Sequence, residues 1–232
     1  MTERRMMPGA AQPKIKICGL SRLEDIDAVN QVLPDLIGLV FAPSKRQVGF
    51  EQARELKARL DPRITAVGVF VDAPLERIVR LYEAGVIQMA QLHGHENAAL
   101  VDALRQRYGI PVIKTVQVRA LGVEGVNVAQ PTADYLLFDS GAGSGEPFDW
   151  SLLAQVRAQL PPAALKTPWF LAGGLDLANL HQALALKPWG VDVSSGVETN
   201  GLKDSQKISD FVNAVRSADI PTARPGRRGH HE

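Results

Sequence analysis

The chain has 232 residues, enough for one large α/β domain or two small ones. Its 26 Lys and Arg residues nearly balance its 25 Asp and Glu residues, so no overall field indicates a nucleic-acid partner, and any anion must be held locally. The single cysteine excludes an internal disulfide and argues against a thiolate-rich zinc site. Because we find neither a signal peptide nor a membrane-spanning run, we expect a soluble, cytoplasmic protein without a membrane partner.

The two ends of the chain differ from its middle. Residues 1–13 and 218–232 are polar, rich in proline and glycine, and without hydrophobic periodicity. We therefore expect a disordered N-terminal extension and a disordered C-terminal tail, and we interpret the R-R-G-H-H segment as a solvated end. The expected ordered domain spans residues 14–217.

Between the ends, short apolar runs alternate with longer amphipathic runs. Eight runs have the length and composition of strands: K-I-K-I-C, D-L-I-G-L-V-F, I-T-A-V-G-V-F-V, V-I-Q-M-A-Q-L, P-V-I-K-T-V, Y-L-L-F-D, P-W-F-L-A and V-D-V-S. The intervening patterns predict helices at 24–29, 50–60, 75–84, 96–107, 150–159, 177–186 and 205–216. After the fifth strand, A-L-G-V-E-G-V is the weakest helix candidate because it holds two glycines.

This strict alternation predicts parallel strands joined by right-handed crossovers, with both faces of the sheet covered. Eight such units in one domain indicate closure into a single (β/α)₈ barrel. The alternative is an open doubly wound sheet, but no G-x-G-x-x-G motif follows the first strand.

In such a barrel, the side chains at the carboxyl ends of the strands converge on one mouth. The first strand ends in Cys18 and the sixth in Asp139, on opposite sides of the ring. This placement suits an acid and a base that act on either side of a small substrate. The alternatives are a packed hydrophobic thiol for Cys18 and, for Asp139, a carboxylate that caps a loop or pairs with a lysine.

Three further side chains near the mouth are candidates for substrate binding. Lys16 shares a face with Cys18, and its charge would lower the pKa of the thiol, although a structural salt bridge is the alternative. Arg46 lies on a loop, where a guanidinium suits a substrate carboxylate and a solvated charge is the alternative. His93 is assigned a supporting role, and Asp72 is interpreted as a helix cap before A-P-L-E.

Two loops predict a phosphate site. Barrels of this kind commonly hold an anion with backbone N–H groups from the loops after strands seven and eight. Here those loops contain A-G-G-L and V-S-S-G, so we assign the anion to Gly173, Gly174, Ser194, Ser195 and Gly196. The alternative is that the glycines make tight turns and the serines cap a helix. Two more residues are assigned to the substrate, Gly143 in the glycine-rich loop after strand six and Asp192 at the end of strand eight.

The series of motifs resembles a known family. Residues 14–215 contain, in order, K-I-K-I-C-G-L, G-L-V-F-A-P-S-K-R, V-G-V-F-V-D, Q-L-H-G, L-F-D-S-G-A-G-S-G-E-P-F-D-W, F-L-A-G-G-L and G-V-D-V-S-S-G-V-E. This series is similar to that of the phosphoribosylanthranilate isomerases of tryptophan biosynthesis. The resemblance implies a (β/α)₈ barrel that converts N-(5-phosphoribosyl)anthranilate into 1-(2-carboxyphenylamino)-1-deoxyribulose 5-phosphate. This is an Amadori rearrangement that needs no cofactor or metal.

The resemblance also implies roles for individual residues. Cys18 would be the general base, Asp139 the general acid, and Arg46 the ligand of the anthranilate carboxylate. The expected partner is a phosphorylated small molecule, and the chain is expected to be a monomer or a homodimer.

Two other functions stay open at this stage. A related barrel isomerase of the histidine pathway would perform the same rearrangement on an aminoimidazole carboxamide, but such enzymes typically use two aspartates. Cys18 and Arg46 therefore favour the anthranilate substrate. A phosphometabolite-binding protein without activity would bind its ligand and not turn it over, and the presence of both Cys18 and Asp139 argues against it.

Overall fold

The computed structural model describes residues 12–118, 133–139 and 150–218. Within them, eight parallel strands close into a barrel in sequence order: β1 Lys14–Cys18, β2 Leu36–Val40, β3 Thr65–Phe70, β4 Met89–Leu92, β5 Val112–Gln117, β6 Tyr135–Asp139, β7 Trp169–Ala172 and β8 Gly190–Val193. Since β1 pairs with both β2 and β8, the predicted (β/α)₈ barrel is confirmed and the open sheet is excluded.

Helices follow most of the strands and cover the outside of the barrel. Their bounds are α1 Leu23–Val32, α2 Phe50–Arg59, α3 Leu75–Glu83, α4 Ala98–Asp102, α5 Trp150–Ala158, α6 Pro162–Leu165, α7 Leu180–Ala185 and α8 Ser205–Ser217. A π-helical turn, Ala103–Arg107, continues α4, and a 3₁₀ turn, Ser195–Val197, follows β8. The predicted helix at A-L-G-V-E-G-V, Gly143 and most of the two predicted disordered ends lie outside the described residues.

The sequence patterns missed two small elements and placed one helix start three residues too early. They did not predict the short helix α6 or the antiparallel hairpin formed by β9, Glu198–Thr199, and β10, Leu202–Lys203. The helix predicted from residue 177 begins only at Leu180, because Asp176 Oδ1 accepts hydrogen bonds from the backbone N–H groups of Ala178 and Asn179. This local turn competes with helical hydrogen bonding over those residues.

The inside of the barrel is closed at its amino end by apolar side chains. Phe170 of β7 packs there against Trp189, with ring centroids 5.0 Å apart, and Trp189 packs against Tyr135 at 4.8 Å. Gly190 makes room for this cluster, because a Cβ atom there would lie 2.6 Å from the Phe170 ring. The barrel interior is therefore accessible from its carboxyl end. In the part of the chain that is described, no helix combines the length and the hydropathy needed to cross a membrane.

Candidate active site

The carboxyl ends of the strands surround a cavity of about 330 Å³. Most of the predicted site residues line it, namely Cys18, Arg46, His93, Asp139, Gly173, Gly174, Asp192, Ser194 and Ser195. The cavity thus brings together the thiol, the carboxyl group and the two loops assigned to phosphate. Among the described residues, no group of three or more His, Cys, Asp or Glu side chains is arranged to hold a metal ion.

Lys16 and Asp192 form a buried ion pair beneath this cavity. They are register partners on β1 and β8, and Lys16 Nζ lies 2.8 Å from Asp192 Oδ2. Burial lowers the pKa of Lys16, but Asp192 and Cys18 raise it by more, so the ammonium form is kept. The other carboxylate oxygen, Asp192 Oδ1, is buried and has no hydrogen-bond partner among the described residues, although Asp192 itself lines the cavity. A buried acceptor of this kind suits a donor on a ligand.

Cys18 is the last residue of β1, and its thiol lies beside the neighbouring strand. Gly38 of β2 makes room for it, since a Cβ atom at position 38 would lie 2.6 Å from Cys18 Sγ. Burial raises the pKa of the thiol, and the nearby Lys16 ammonium offsets only part of that effect. The expected direction of the lysine's influence is therefore correct, but the expected net result, a lowered thiol pKa, is wrong because desolvation outweighs the charge.

His93 lies between Asp139 and two side chains of the barrel wall. Its Nε2 atom is 3.4 Å from Asp139 Oδ2, while Nδ1 is 3.3 Å from Gln91 Nε2 and 3.2 Å from Thr115 Oγ1. The amide nitrogen of Gln91 can only donate, so Nδ1 accepts and the ring proton sits on Nε2, facing Asp139. The supporting role assigned to His93 thus has a geometric basis. The sequence did not identify Gln91 and Thr115 as the groups that orient the ring.

Arg46 is held by an ion pair that the sequence analysis did not identify. Its Nε atom lies 2.6 Å from Glu198 Oε1, and its Nη2 atom lies 2.8 Å from Glu198 Oε2. Glu198 follows the 3₁₀ turn and is the last residue of the motif G-V-D-V-S-S-G-V-E. The alternative interpretation of Arg46, a solvated loop charge, is wrong because only 22% of its side chain is exposed.

The two loops assigned to phosphate lie side by side, because β7 and β8 are neighbours in the barrel. Gly173 and Gly174 have φ angles of 84° and 67°, a left-handed conformation that favours glycine. Gly196 is required for packing, since a Cβ atom there would collide with the carbonyl oxygen of Leu175. Ser194 Oγ donates a 3.0 Å hydrogen bond to the carbonyl oxygen of Cys18, so this loop is tied to β1.

Asp72 does not cap a helix as predicted. The residue before α3 is Pro74, whereas Asp72 has a φ of 48° and its Oδ1 atom accepts a 2.7 Å hydrogen bond from the backbone N–H of His95. Asp72 therefore links the loop after β3 to the loop after β4. The helix that follows β4 is capped by Asn97, whose side chain accepts from Leu100 N–H.

Comparison with known proteins identifies a family. A family model described as N-(5'-phosphoribosyl)anthranilate (PRA) isomerase matches residues 15–214. The N-(5'-phosphoribosyl)anthranilate isomerase of Endomicrobium trichonymphae is 43% identical over 211 residues, which cover 88% of this chain and 99% of that protein. The crystal structure of phosphoribosyl anthranilate isomerase from Thermus thermophilus is 33% identical with a TM-score of 0.73, covering 88% of this chain and 98% of that one.

A second solved structure is informative for the ligand that it contains. It is a phosphoribosyl anthranilate isomerase in complex with reduced 1-(o-carboxyphenylamino)-1-deoxyribulose 5-phosphate. It is 33% identical to this chain with a TM-score of 0.70, and the match covers 89% of this chain and 100% of that one.

Proposed function

Since the chain belongs to the N-(5'-phosphoribosyl)anthranilate isomerase family, and is thus an isomerase of tryptophan biosynthesis, we propose that Asp139 and Cys18 transfer the protons in its reaction. The substrate is a phosphorylated small molecule. The observation that carries the proposal is that a thiol from β1 and a carboxyl group from β6 line the same cavity. All the assigned residues belong to one chain, so the proposed chemistry operates in a monomer as well as in a homodimer.

The first step opens the ribose ring, with Asp139 as the general acid. Asp139 gives its proton to the ring oxygen while the bond from that oxygen to C1′ breaks, and the nitrogen lone pair forms a C=N bond. The product is an open-chain Schiff base with a positive charge on nitrogen. The Nε2 proton of His93, facing Asp139 Oδ2 at 3.4 Å, stabilises the carboxylate that this step leaves behind.

The second step removes the proton at C2′, with Cys18 as the general base. Burial opposes ionisation of Cys18, whereas the Lys16 ammonium favours the thiolate, and Cys18 enters the cycle in this thiolate form. Loss of the C2′ proton gives an enolamine. The thiol then returns its proton at C1′, and the 2′-hydroxyl proton restores the Asp139 acid, so atoms and charges balance and the ketone is formed.

The remaining assignments concern binding and orientation. Gly173, Gly174 and the loop from Ser194 to Gly196 bind the phosphate through main-chain N–H groups, and Arg46 binds the anthranilate carboxylate. Asp192 Oδ1, which has no hydrogen-bond partner in the part of the chain that the structure describes, accepts from a sugar hydroxyl. These contacts would hold the sugar between Cys18 and Asp139, and their support is the shared cavity.

The test follows the fluorescence of the anthranilate adduct after enzyme is added. Conversion by the parent protein removes the signal, and we expect Cys18→Ser and Asp139→Asn each to lower kcat about 10²–10⁴-fold, the range that general acid–base groups supply. Asp134→Asn is the matched control, because Asp134 lies directly before β6 at the opposite end from Asp139. It should keep the parent kcat. If Cys18→Ser and Asp139→Asn also keep it, the assigned roles are wrong.

A further inference from the structure

The hairpin that follows the last barrel strand places two charged side chains in the interior. Glu198 of β9 is the register partner of Lys203 of β10, and Lys203 Nζ lies 2.7 Å from Glu198 Oε1. Their side chains are only 5% and 2% exposed. Neither residue lines the cavity itself, so any influence on a ligand must pass through the groups that they contact.

Glu198 occupies one particular edge of the Arg46 guanidinium. Its two oxygens accept from Nε and Nη2, at 2.6 and 2.8 Å, which is the side-on bidentate arrangement. A guanidinium has five N–H donors in a fixed plane, so three stay free of Glu198, and two of these form the end-on edge between Nη1 and Nη2. The position of the arginine is restricted further by Gly19, because a Cβ atom there would collide with Arg46 Cδ.

Lys203 extends the same network to the loop assigned to phosphate. Its Nζ atom donates a 2.9 Å hydrogen bond to the carbonyl oxygen of Ser194, and Ser194 Oγ donates to the carbonyl oxygen of Cys18. Glu198 is thus connected on one side to the arginine assigned to the carboxylate and on the other to the phosphate loop. The hairpin can therefore fix the separation between the two anionic ends of the substrate site.

Charge also favours this arrangement. Burial raises the pKa of Glu198, but the hydrogen bonds from Arg46 and Lys203 outweigh burial and lower the pKa to about 2, so Glu198 is ionised at neutral pH. A second lysine, Lys45, lies 3.6 Å from the same carboxylate. The three cations outnumber this single anion, and the cluster therefore remains attractive to a carboxylate on the ligand.

We propose that Glu198 is a positioning residue that holds Arg46 so that the end-on edge of its guanidinium meets the carboxylate of the substrate. The inference rests on the proposed function and deepens it, because it determines how the enzyme selects a carboxylated aromatic amine. Glu198 does not touch the ligand. Its removal should weaken recognition of the carboxylate and leave recognition of the phosphate and the sugar intact.

The test compares two ligands that differ only in the carboxylate. One is reduced 1-(o-carboxyphenylamino)-1-deoxyribulose 5-phosphate, and the other is the counterpart made with aniline in place of anthranilate. The dissociation constant of the aniline ligand is divided by that of the carboxylated ligand, both measured by calorimetry. This ratio reports recognition of the carboxylate alone. In Glu198→Gln we expect this ratio to fall about 10-fold, as when one well-placed charged contact is lost, while the aniline ligand binds as it does to the parent.

The matched control is Asp134→Asn. Asp134 binds Arg105 side-on through Nε and Nη2, at 2.9 and 2.8 Å, at the amino end of the barrel. This substitution also breaks a bidentate pair, but it should leave the ligand ratio unchanged even where the melting temperature falls. Glu198→Asp retains the charge on a shorter side chain, and we expect it to give an intermediate ratio.

Arg46→Met separates failure of this inference from failure of the proposed carboxylate site. We expect it to lower the ligand ratio at least as far as Glu198→Gln does. If Arg46→Met lowers the ratio and Glu198→Gln and Glu198→Asp both keep the parent value, the positioning role is wrong while the carboxylate site stands. If Arg46→Met also keeps the parent ratio, Arg46 does not bind the carboxylate and both proposals are overturned.

Discussion

The two ends of the barrel interior are built from the same eight strands, but side chains fill only the amino end. At the amino end, Phe170, Trp189 and Tyr135 fill the interior. At the carboxyl end, a cavity remains, and two buried acceptors, Gln91 Oε1 and Asp192 Oδ1, find no hydrogen-bond partner within residues 12–118, 133–139 and 150–218. Buried polar atoms are normally paired, so the end that leaves them unpaired is the end prepared for a ligand.

Along a strand, the interior changes from packed side chains to open cavity within two residues. On β8, Gly190 accommodates the Phe170 ring and Asp192 carries the unpaired oxygen. On β7, Phe170 fills the interior and Ala172 lines the cavity. Residues two apart share a face, so each strand can place a packing residue and a functional residue in successive layers. Stability and activity should therefore respond separately to substitutions at the two ends.

The largest expected effect is on stability, at the amino end. Phe170→Ala removes a fully buried ring from the aromatic cluster, and such a change typically costs about 3–5 kcal/mol in the free energy of unfolding. Urea denaturation should show this loss, while kcat/KM of the folded protein stays within about twofold of the parent. A 100-fold fall in kcat/KM with little loss of stability would mean that the two ends are not separable.

The next effect concerns activity, at the carboxyl end. Gly38→Ala places a methyl group 2.6 Å from the present position of Cys18 Sγ, so the thiol must move. Displacement of a reacting group by about 1 Å can lower kcat about 100-fold. Stopped-flow decay of the adduct fluorescence measures this loss directly.

The control for Gly38→Ala is Gly68→Ala. Gly68 belongs to β3, and a Cβ atom there would lie 2.7 Å from the ring of Phe70, so the steric conflict is similar. Phe70 packs in the core between barrel and helices, away from the cavity. Gly68→Ala should therefore lower the melting temperature and keep kcat, and equal kcat losses in the two variants would contradict the specific role of Gly38.

The sequence predicted the barrel and several of the side chains that line its cavity because both depend on local patterns. The alternation of strands and helices determines the fold, and the strand ends identify Cys18, His93 and Asp139. The ion pair of Arg46 with Glu198 joins residues 152 positions apart, and no periodicity in the chain indicates that contact. The thiol pKa was also beyond sequence reasoning, because the balance between burial and the Lys16 charge depends on how deeply the strand end is enclosed.

The smallest expected effect tests whether the buried Lys16–Asp192 ion pair controls the ionisation of Cys18. Cys18 is the only cysteine, so its alkylation by iodoacetamide reports its ionisation without interference. Burial raises its pKa above the ordinary value of 9.0, and Lys16 lowers it, so Lys16→Met should move the alkylation midpoint further upward. A shift of about one pKa unit would slow alkylation about tenfold at a fixed pH below both midpoints.

Lys14→Met is the control for this measurement, because Lys14 lies on the same strand but pairs with Asp35 and is 47% exposed. It should leave the midpoint unchanged. A buried ion pair is often no more stabilising than apolar residues of the same volume. We therefore expect the Lys16–Asp192 pair to act through the ionisation of Cys18. An unchanged alkylation midpoint in Lys16→Met would show that the charged pair beneath the cavity does not have this role.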